Sequence, residues 1–92
     1  MKAVRIHEFG GPEVLRYEEV VDPRPRKDQV LVRVKACSLN HLDLWVRQGL
    51  PGVKLPHILG SDIAGEIVEV GEYISGFQAG QRVLLRESSI GA

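Results

Sequence analysis

Apolar and polar residues alternate most regularly between Gln29 and Ser38, where Val30, Val32, Val34 and Ala36 occupy every second position. Successive side chains of a strand point to opposite faces, so these four apolar residues would share one face. The pattern therefore predicts a strand with one face against a core and the other in solvent.

Four further segments are predicted to be strands because they are short, rich in β-branched or aromatic residues, and bounded by glycine or proline. They are Lys2–Glu8, Val14–Val21, Asp62–Val70 and Arg82–Leu85. Apolar residues recur at helical spacing from Asn40 to Gln48 and Gly49 follows, which predicts a helix. Residues 50–58 are predicted to form a loop. Five strands and one helix predict a mainly β, antiparallel, barrel-like domain.

Composition narrows the function classes. A length of 92 residues suits one domain, and 12 basic residues balance 12 acidic ones, so charge indicates no nucleic-acid partner and no acidic membrane surface. The amino terminus has no signal-peptide pattern and no segment reaches membrane-spanning length, so a cytoplasmic protein is expected. Cys37 is the single cysteine, which excludes an intrachain disulfide and a multi-cysteine zinc site. Its place in a predicted strand favours a small buried side chain.

Residues 58–83 carry the spacing G-x-x-x-x-G, then V-G-x-x-I-x-x-F-x-x-G-x-x-V. This pattern resembles the medium-chain dehydrogenase/reductase family, the family of zinc-type alcohol dehydrogenases, in which the motif begins G-H-E-x-x-G. The segments 1–20 and 23–49 resemble those of quinone oxidoreductase-like members. The resemblance covers nearly the whole chain. It implies that residues 1–92 form the family's amino-terminal GroES-like domain, a partly open β-barrel.

The positions that hold catalytic zinc in the alcohol dehydrogenases carry other residues here. Ser61 stands at the metal-binding histidine and Asp62 at the neighbouring glutamate, while Asn40 stands at the cysteine ligand. Leu42 replaces the hydroxyl residue that relays a proton. Because an amide is a poor zinc ligand, no metal ligand is assigned and catalytic zinc is not expected. An alternative is a metal cluster of His41, Asp43, His57 and Asp62, whose spacing matches no strong metal motif.

The resemblance to the quinone oxidoreductase branch implies hydride transfer from NADPH to a conjugated carbonyl compound, with hydrogen-bond donors stabilising the enolate-like charge. Asn40, with two amide donors, and Asp62 are the candidate catalytic residues. His41 aligns with a basic position that contacts the cofactor pyrophosphate. Trp45 stands where the branch often has tyrosine, which leaves the proton source open. A competing interpretation makes Asn40 and Asp43 a helix capping box.

The chain contains no G-x-G-x-x-G, and the Rossmann domain that follows in the family is absent from it. The chain alone is therefore expected to be inactive and unable to bind NAD(P)H, which leaves its status as an enzyme open. Its expected partners are that missing domain or a second copy, through an exposed apolar face, with a small-molecule substrate in the longer form. Two alternatives stay open: a non-catalytic GroES-like binding module, and a zinc-dependent alcohol dehydrogenase fragment with atypical ligands such as Asp62.

Overall fold

The computed structural model describes residues 1–85, which form a mainly β domain with one α-helix. Within these residues the strands are β1 (Lys2–Ile6), β2 (Arg16–Glu19), β3 (Val30–Ser38), β4 (His57–Ile58), β5 (Asp62–Val70) and β6 (Arg82–Leu85). The α-helix, α1, spans His41–Gln48, and a single 3-10 turn spans Pro12–Val14. The predicted fold class, mainly β with one short helix, is confirmed.

The strands form two three-stranded antiparallel sheets, ordered β2-β1-β4 and β3-β5-β6. The two sheets do not join through a strand pair within the described residues, which agrees with the partly open barrel that the sequence predicts. This antiparallel pairing is compatible with a GroES-like domain and differs from that of a doubly wound parallel sheet.

The core of the described region is small. Its buried apolar side chains come from four different elements: Ile6, Val14, Val46 and Ile67. The carboxyl end of α1 is fixed to the segment after β1 by two reciprocal hydrogen bonds. The Gly10 N–H donates to the Arg47 carbonyl at 2.9 Å, and the Arg47 Nε donates to the Gly10 carbonyl at 3.1 Å. These contacts hold the end of the helix against the segment that follows β1.

Two glycines allow close approach of the backbone around β5. A Cβ on Gly65 would lie 2.7 Å from a methyl group of Val32 and would collide with the carbonyl oxygen of Arg33. The neighbouring register shifts in β3, between Leu31 and Val32 and again after Val34, show that the ladder is irregular at this point. Only a residue without a side chain allows this approach.

The second such glycine is Gly71, in the turn after β5. Its N–H donates to the carbonyl of Gln29 at 2.7 Å, and the Tyr73 N–H donates to the carbonyl of Lys27 at 2.7 Å. The Lys27 ammonium lies 5.6 Å from the centre of the Tyr73 ring. The proline-rich segment before β3 is thereby held against the turn after β5.

The predicted burial of β3 is wrong over its second half. Residues 33–38 are exposed, Cys37 among them, and the Val34 side chain is 53% exposed. The reason is topological: β3 is an edge strand whose one strand neighbour within residues 1–85 is β5. Alternation predicts that two faces differ, and it does not predict which of them another element covers.

Several predicted boundaries also differ. The first strand ends at Ile6 rather than Glu8, the second spans Arg16–Glu19 rather than Val14–Val21, and the third begins at Val30 rather than Gln29. The second strand begins later because Pro12–Val14 forms a 3-10 turn. Proline at the first helical position favours such a turn, since its φ angle is already helical. The segment predicted as a loop at 50–58 contains β4, which pairs with the end of β1. A two-residue strand is too short to show alternation.

Candidate functional site

The site lies where β3 ends, α1 begins and β5 begins. In the antiparallel β3–β5 ladder Ser38, the last residue of β3, pairs with Asp62, the first residue of β5. The chain then continues two residues beyond Ser38 to Asn40, the residue before the first turn of α1. The register therefore places Asn40 beside Asp62, although they are 22 positions apart, and the Asn40 Nδ2 donates to the Asp62 Oδ2 at 3.1 Å.

Asn40 is also the N-cap of α1, with extended backbone angles of φ −140° and ψ 154°. Its Oδ1 accepts a hydrogen bond from the Leu42 N–H at 3.2 Å, and its own N–H donates to the Asp43 Oδ2 at 3.0 Å. This reciprocal arrangement is a capping box, which confirms the structural role predicted for Asn40 and Asp43. The cap uses the amide oxygen and leaves the amide nitrogen for other partners.

Beside this cluster lies a groove of about 500 Å³ that crosses β3, β5 and β6. Its lining residues are Ala36, Cys37, Ser38, Asp62, Ile63, Ala64, Leu84 and Leu85. Asp62 therefore has two roles in the geometry, since it lines the groove and holds the Asn40 amide. A mostly apolar groove with a few polar groups at one end is the usual form of a small-molecule site.

The residues at the family's zinc positions do not fit zinc. The Asn40 oxygen is engaged by the helix, its nitrogen is a donor, and the Asp62 carboxylate accepts from that nitrogen. The Ser61 Oγ is buried and has no hydrogen-bond partner within residues 1–85. A serine hydroxyl and an amide replace the imidazole and thiolate that zinc prefers.

The alternative metal cluster of His41, Asp43, His57 and Asp62 is not assembled. In the part of the chain that the structure describes, no three histidine, cysteine, aspartate or glutamate side chains lie together in a way that could hold a metal ion. His57 is buried on β4 and pairs with Ile6 of β1, and this burial lowers the pKa of its imidazole. His57 is thus a packing residue.

His41, the candidate cofactor contact, is the first residue of α1 and is exposed. Its ring centre lies 6.1 Å from that of Trp45, one turn further along the helix, at an interplanar angle of 52°. The amino end of a helix favours negatively charged groups, so the position is electrostatically suited to a phosphate. Trp45 is also half-exposed, which keeps an aromatic surface beside His41.

These features define a member of a known domain family. Residues 26–91 match the model of the alcohol dehydrogenase GroES-like domain, and the chain belongs to this family. The predicted resemblance to medium-chain dehydrogenases/reductases is confirmed.

Among its relatives, the chain is 46% identical over 86 residues to the quinone oxidoreductase of Rattus norvegicus, covering 90% of this chain and 26% of that protein. It is 44% identical over 85 residues to the acryloyl-coenzyme A reductase of Sulfurisphaera tokodaii, covering 91% of this chain and 25% of that protein. The chain spans about a quarter of the length of the curated relatives it matches.

A solved structure with the same fold is the Escherichia coli quinone oxidoreductase complexed with NADPH. The TM-score is 0.89 at 34% identity, covering 99% of this chain and 28% of that one.

Over residues 1–85, the structure contains no helix long and apolar enough to cross a membrane.

Proposed function

We propose that this chain is the substrate-side domain of an NADPH-dependent oxidoreductase of the quinone oxidoreductase type, which reduces a quinone or another conjugated carbonyl without catalytic zinc. The observation that carries the proposal is the hydrogen bond between Asn40, at the position of the cysteine ligand, and Asp62, next to the position of the metal-binding histidine. The relatives named as quinone oxidoreductases support the reaction class, and the NADPH complex of one of them supports the cofactor.

Asn40 would supply this chain's main electrostatic contribution to catalysis. Its amide carries two N–H donors, of which one is bonded to Asp62, and the other has no partner within residues 1–85. NADPH, when bound, supplies the hydride. The free Asn40 N–H would then donate to the carbonyl oxygen of the substrate and stabilise the negative charge that develops there.

The groove would hold the body of the substrate. Its walls are the apolar side chains of β3, β5 and β6, and its polar end is formed by Ser38 and Asp62. A planar conjugated ring buries apolar area against such walls while its carbonyl oxygen turns towards Asn40. A second domain would supply most of the substrate contacts and would close the groove from its other side.

The dinucleotide would be held mainly by that second domain. Every strand pair in residues 1–85 is antiparallel, so these residues hold no Rossmann unit. From this chain, His41 is proposed to contact the cofactor: it would bind the pyrophosphate of the dinucleotide at the amino end of α1. The partner proposed for the exposed face is therefore the nucleotide-binding domain.

The test is a chimera in which this chain replaces the matching segment of the Escherichia coli quinone oxidoreductase. We expect the chimera to oxidise NADPH with 1,4-benzoquinone, to contain far less than one zinc per chain, and to keep its rate after dialysis against a chelator. A chimera that folds but gains activity only with added zinc, or that oxidises an alcohol with NAD instead of reducing the quinone, would overturn the proposal.

A further inference from the structure

Besides accepting the helical bond from the Asp43 N–H at its carbonyl oxygen at 3.0 Å, Asn40 makes three hydrogen bonds, each through a different part of the residue. Its backbone N–H donates to Asp43, its Oδ1 accepts from the Leu42 N–H, and its Nδ2 donates to Asp62. The first two bonds are local to the helix, whereas the third connects the helix to β5. Capping requires only the local pair, so the Asp62 contact needs a separate explanation.

The two side-chain contacts allow one orientation of the amide. A backbone N–H can only donate and a carboxylate can only accept, so the oxygen must face Leu42 and the nitrogen must face Asp62. A single contact would leave the amide plane free to turn about it. Two contacts at opposite ends fix the plane, and with it the direction of the second N–H.

We propose that Asp62 is a positioning residue, which fixes the Asn40 amide so that its second N–H is a preorganised donor at the edge of the groove. The catalytic purpose of this positioning rests on the proposed function, whereas the hydrogen bonds that fix the amide do not depend on it. Preorganised donors are effective because they need not reorient when charge develops on the substrate. Asp62 is placed for this role because it lines the groove and pairs with Ser38, two residues before Asn40.

The charge of Asp62 argues against a direct role in stabilising the substrate. A carboxylate beside a developing oxyanion opposes the reaction, since like charges repel at short range. Its useful property is therefore the acceptor oxygen, which Asp62→Asn retains and Asp62→Ala removes. This difference separates positioning from charge and from general acid-base chemistry.

The test uses this chain, with the side-chain NH₂ signals of Asn40 in ¹H–¹⁵N spectra as the probe. In Asp62→Ala we expect those signals to move towards the values of a solvated amide and their hydrogen exchange to accelerate about fivefold, as for the loss of one hydrogen bond. Asp62→Asn should restore most of the protection. Asp43→Ala is the matched control, since it should move the Asn40 backbone N–H and leave the NH₂ pair in place.

Retained dispersion of the backbone signals establishes that each variant is folded. Unchanged NH₂ exchange in Asp62→Ala, or an equal change in Asp43→Ala, would overturn the positioning role. In the active chimera, Asp62→Ala should lower kcat about tenfold with little change in KM, and Asp62→Asn should recover it, as expected when a donor is lost only partly. A failure of the proposed function would appear as an inactive chimera with the NH₂ result intact, so the two failures are distinguishable.

Discussion

Gly71→Ala tests the packing that holds the segment before β3 against the turn after β5. An alanine Cβ at this position would lie 2.5 Å from each of three carbonyl oxygens, those of Arg26, Lys27 and Gln29. An ordinary contact between carbon and oxygen is about 3.3 Å or longer, so the two segments must separate by roughly 1 Å. None of the three obstacles is a side chain that could rotate away.

The separation weakens two backbone hydrogen bonds, from Gly71 to Gln29 and from Tyr73 to Lys27, both 2.7 Å long. Each contributes about 1 kcal/mol, and forced overpacking adds a further 1 to 3 kcal/mol. The reduced entropy of the unfolded chain returns less than about 1 kcal/mol. We therefore expect the free energy of unfolding to fall by about 2 to 4 kcal/mol. In a domain of this size that lowers Tm by roughly 10 to 30 °C.

The assay is urea unfolding followed by far-ultraviolet circular dichroism, with Gly76→Ala as the control. Gly76 has a φ of 88°, and no atom lies within 4 Å of the point that an added Cβ would occupy, so its replacement costs about 1 to 2 kcal/mol for backbone strain alone. Gly71 has no such strained φ, so any cost there is steric. If Gly71→Ala is no more destabilising than Gly76→Ala, the close packing of the two segments is refuted.

Three further predictions concern titration and exposure. Hydrogen bonds from Arg5, and then from His7, hold the pKa of Glu18 below its ordinary 4.5. This cluster therefore stabilises the fold above pH 4.5, and the stabilisation is lost as the pH falls through the lowered pKa. In a pH series of urea unfolding, Glu18→Gln should flatten that part of the stability curve. Burial lowers the pKa of His57 below 6.5. The unfolded chain therefore takes up the proton first, and the free energy of unfolding falls as the pH drops below 6.5. If His57→Leu has the same slope of unfolding free energy against pH, this reasoning is contradicted. A thiol reagent should label exposed Cys37 in the native chain within about tenfold of the unfolded rate, whereas strong protection would show it is buried.

The regular parts of the fold could be predicted because their sequence signals are local. Asp62–Val70 and Arg82–Leu85 have the predicted bounds, and the helix begins after Asn40 and ends before Gly49 as the cap pattern predicts. The exposure of Cys37 could not be predicted in this way. It depends on whether another element covers the edge strand, which is a property of the assembled sheet and not of the alternating pattern.

The candidate site was predicted in part. The family resemblance singled out Asn40 and Asp62, and the Asn-x-x-Asp spacing predicted the cap. The bond between Asn40 and Asp62 depends on the β3–β5 register, which two irregularities shift, so residue spacing alone does not give it. The catalytic roles of Asn40 and Asp62 and the cofactor contact of His41 stay predictions.

The most direct test of the account compares kcat/KM for the quinone in the chimera with that of its Asn40→Gly variant. Glycine is tolerated at a helix N-cap, has no N–H donor in a side chain and, unlike aspartate, adds no charge beside Asp62, so only the amide contribution is removed. We predict a loss of about 100-fold or more, the usual effect of deleting one oxyanion donor, while Asp43→Ala stays within about threefold. An Asn40→Gly chimera that is folded and retains full activity would contradict the central claim that this amide replaces the metal.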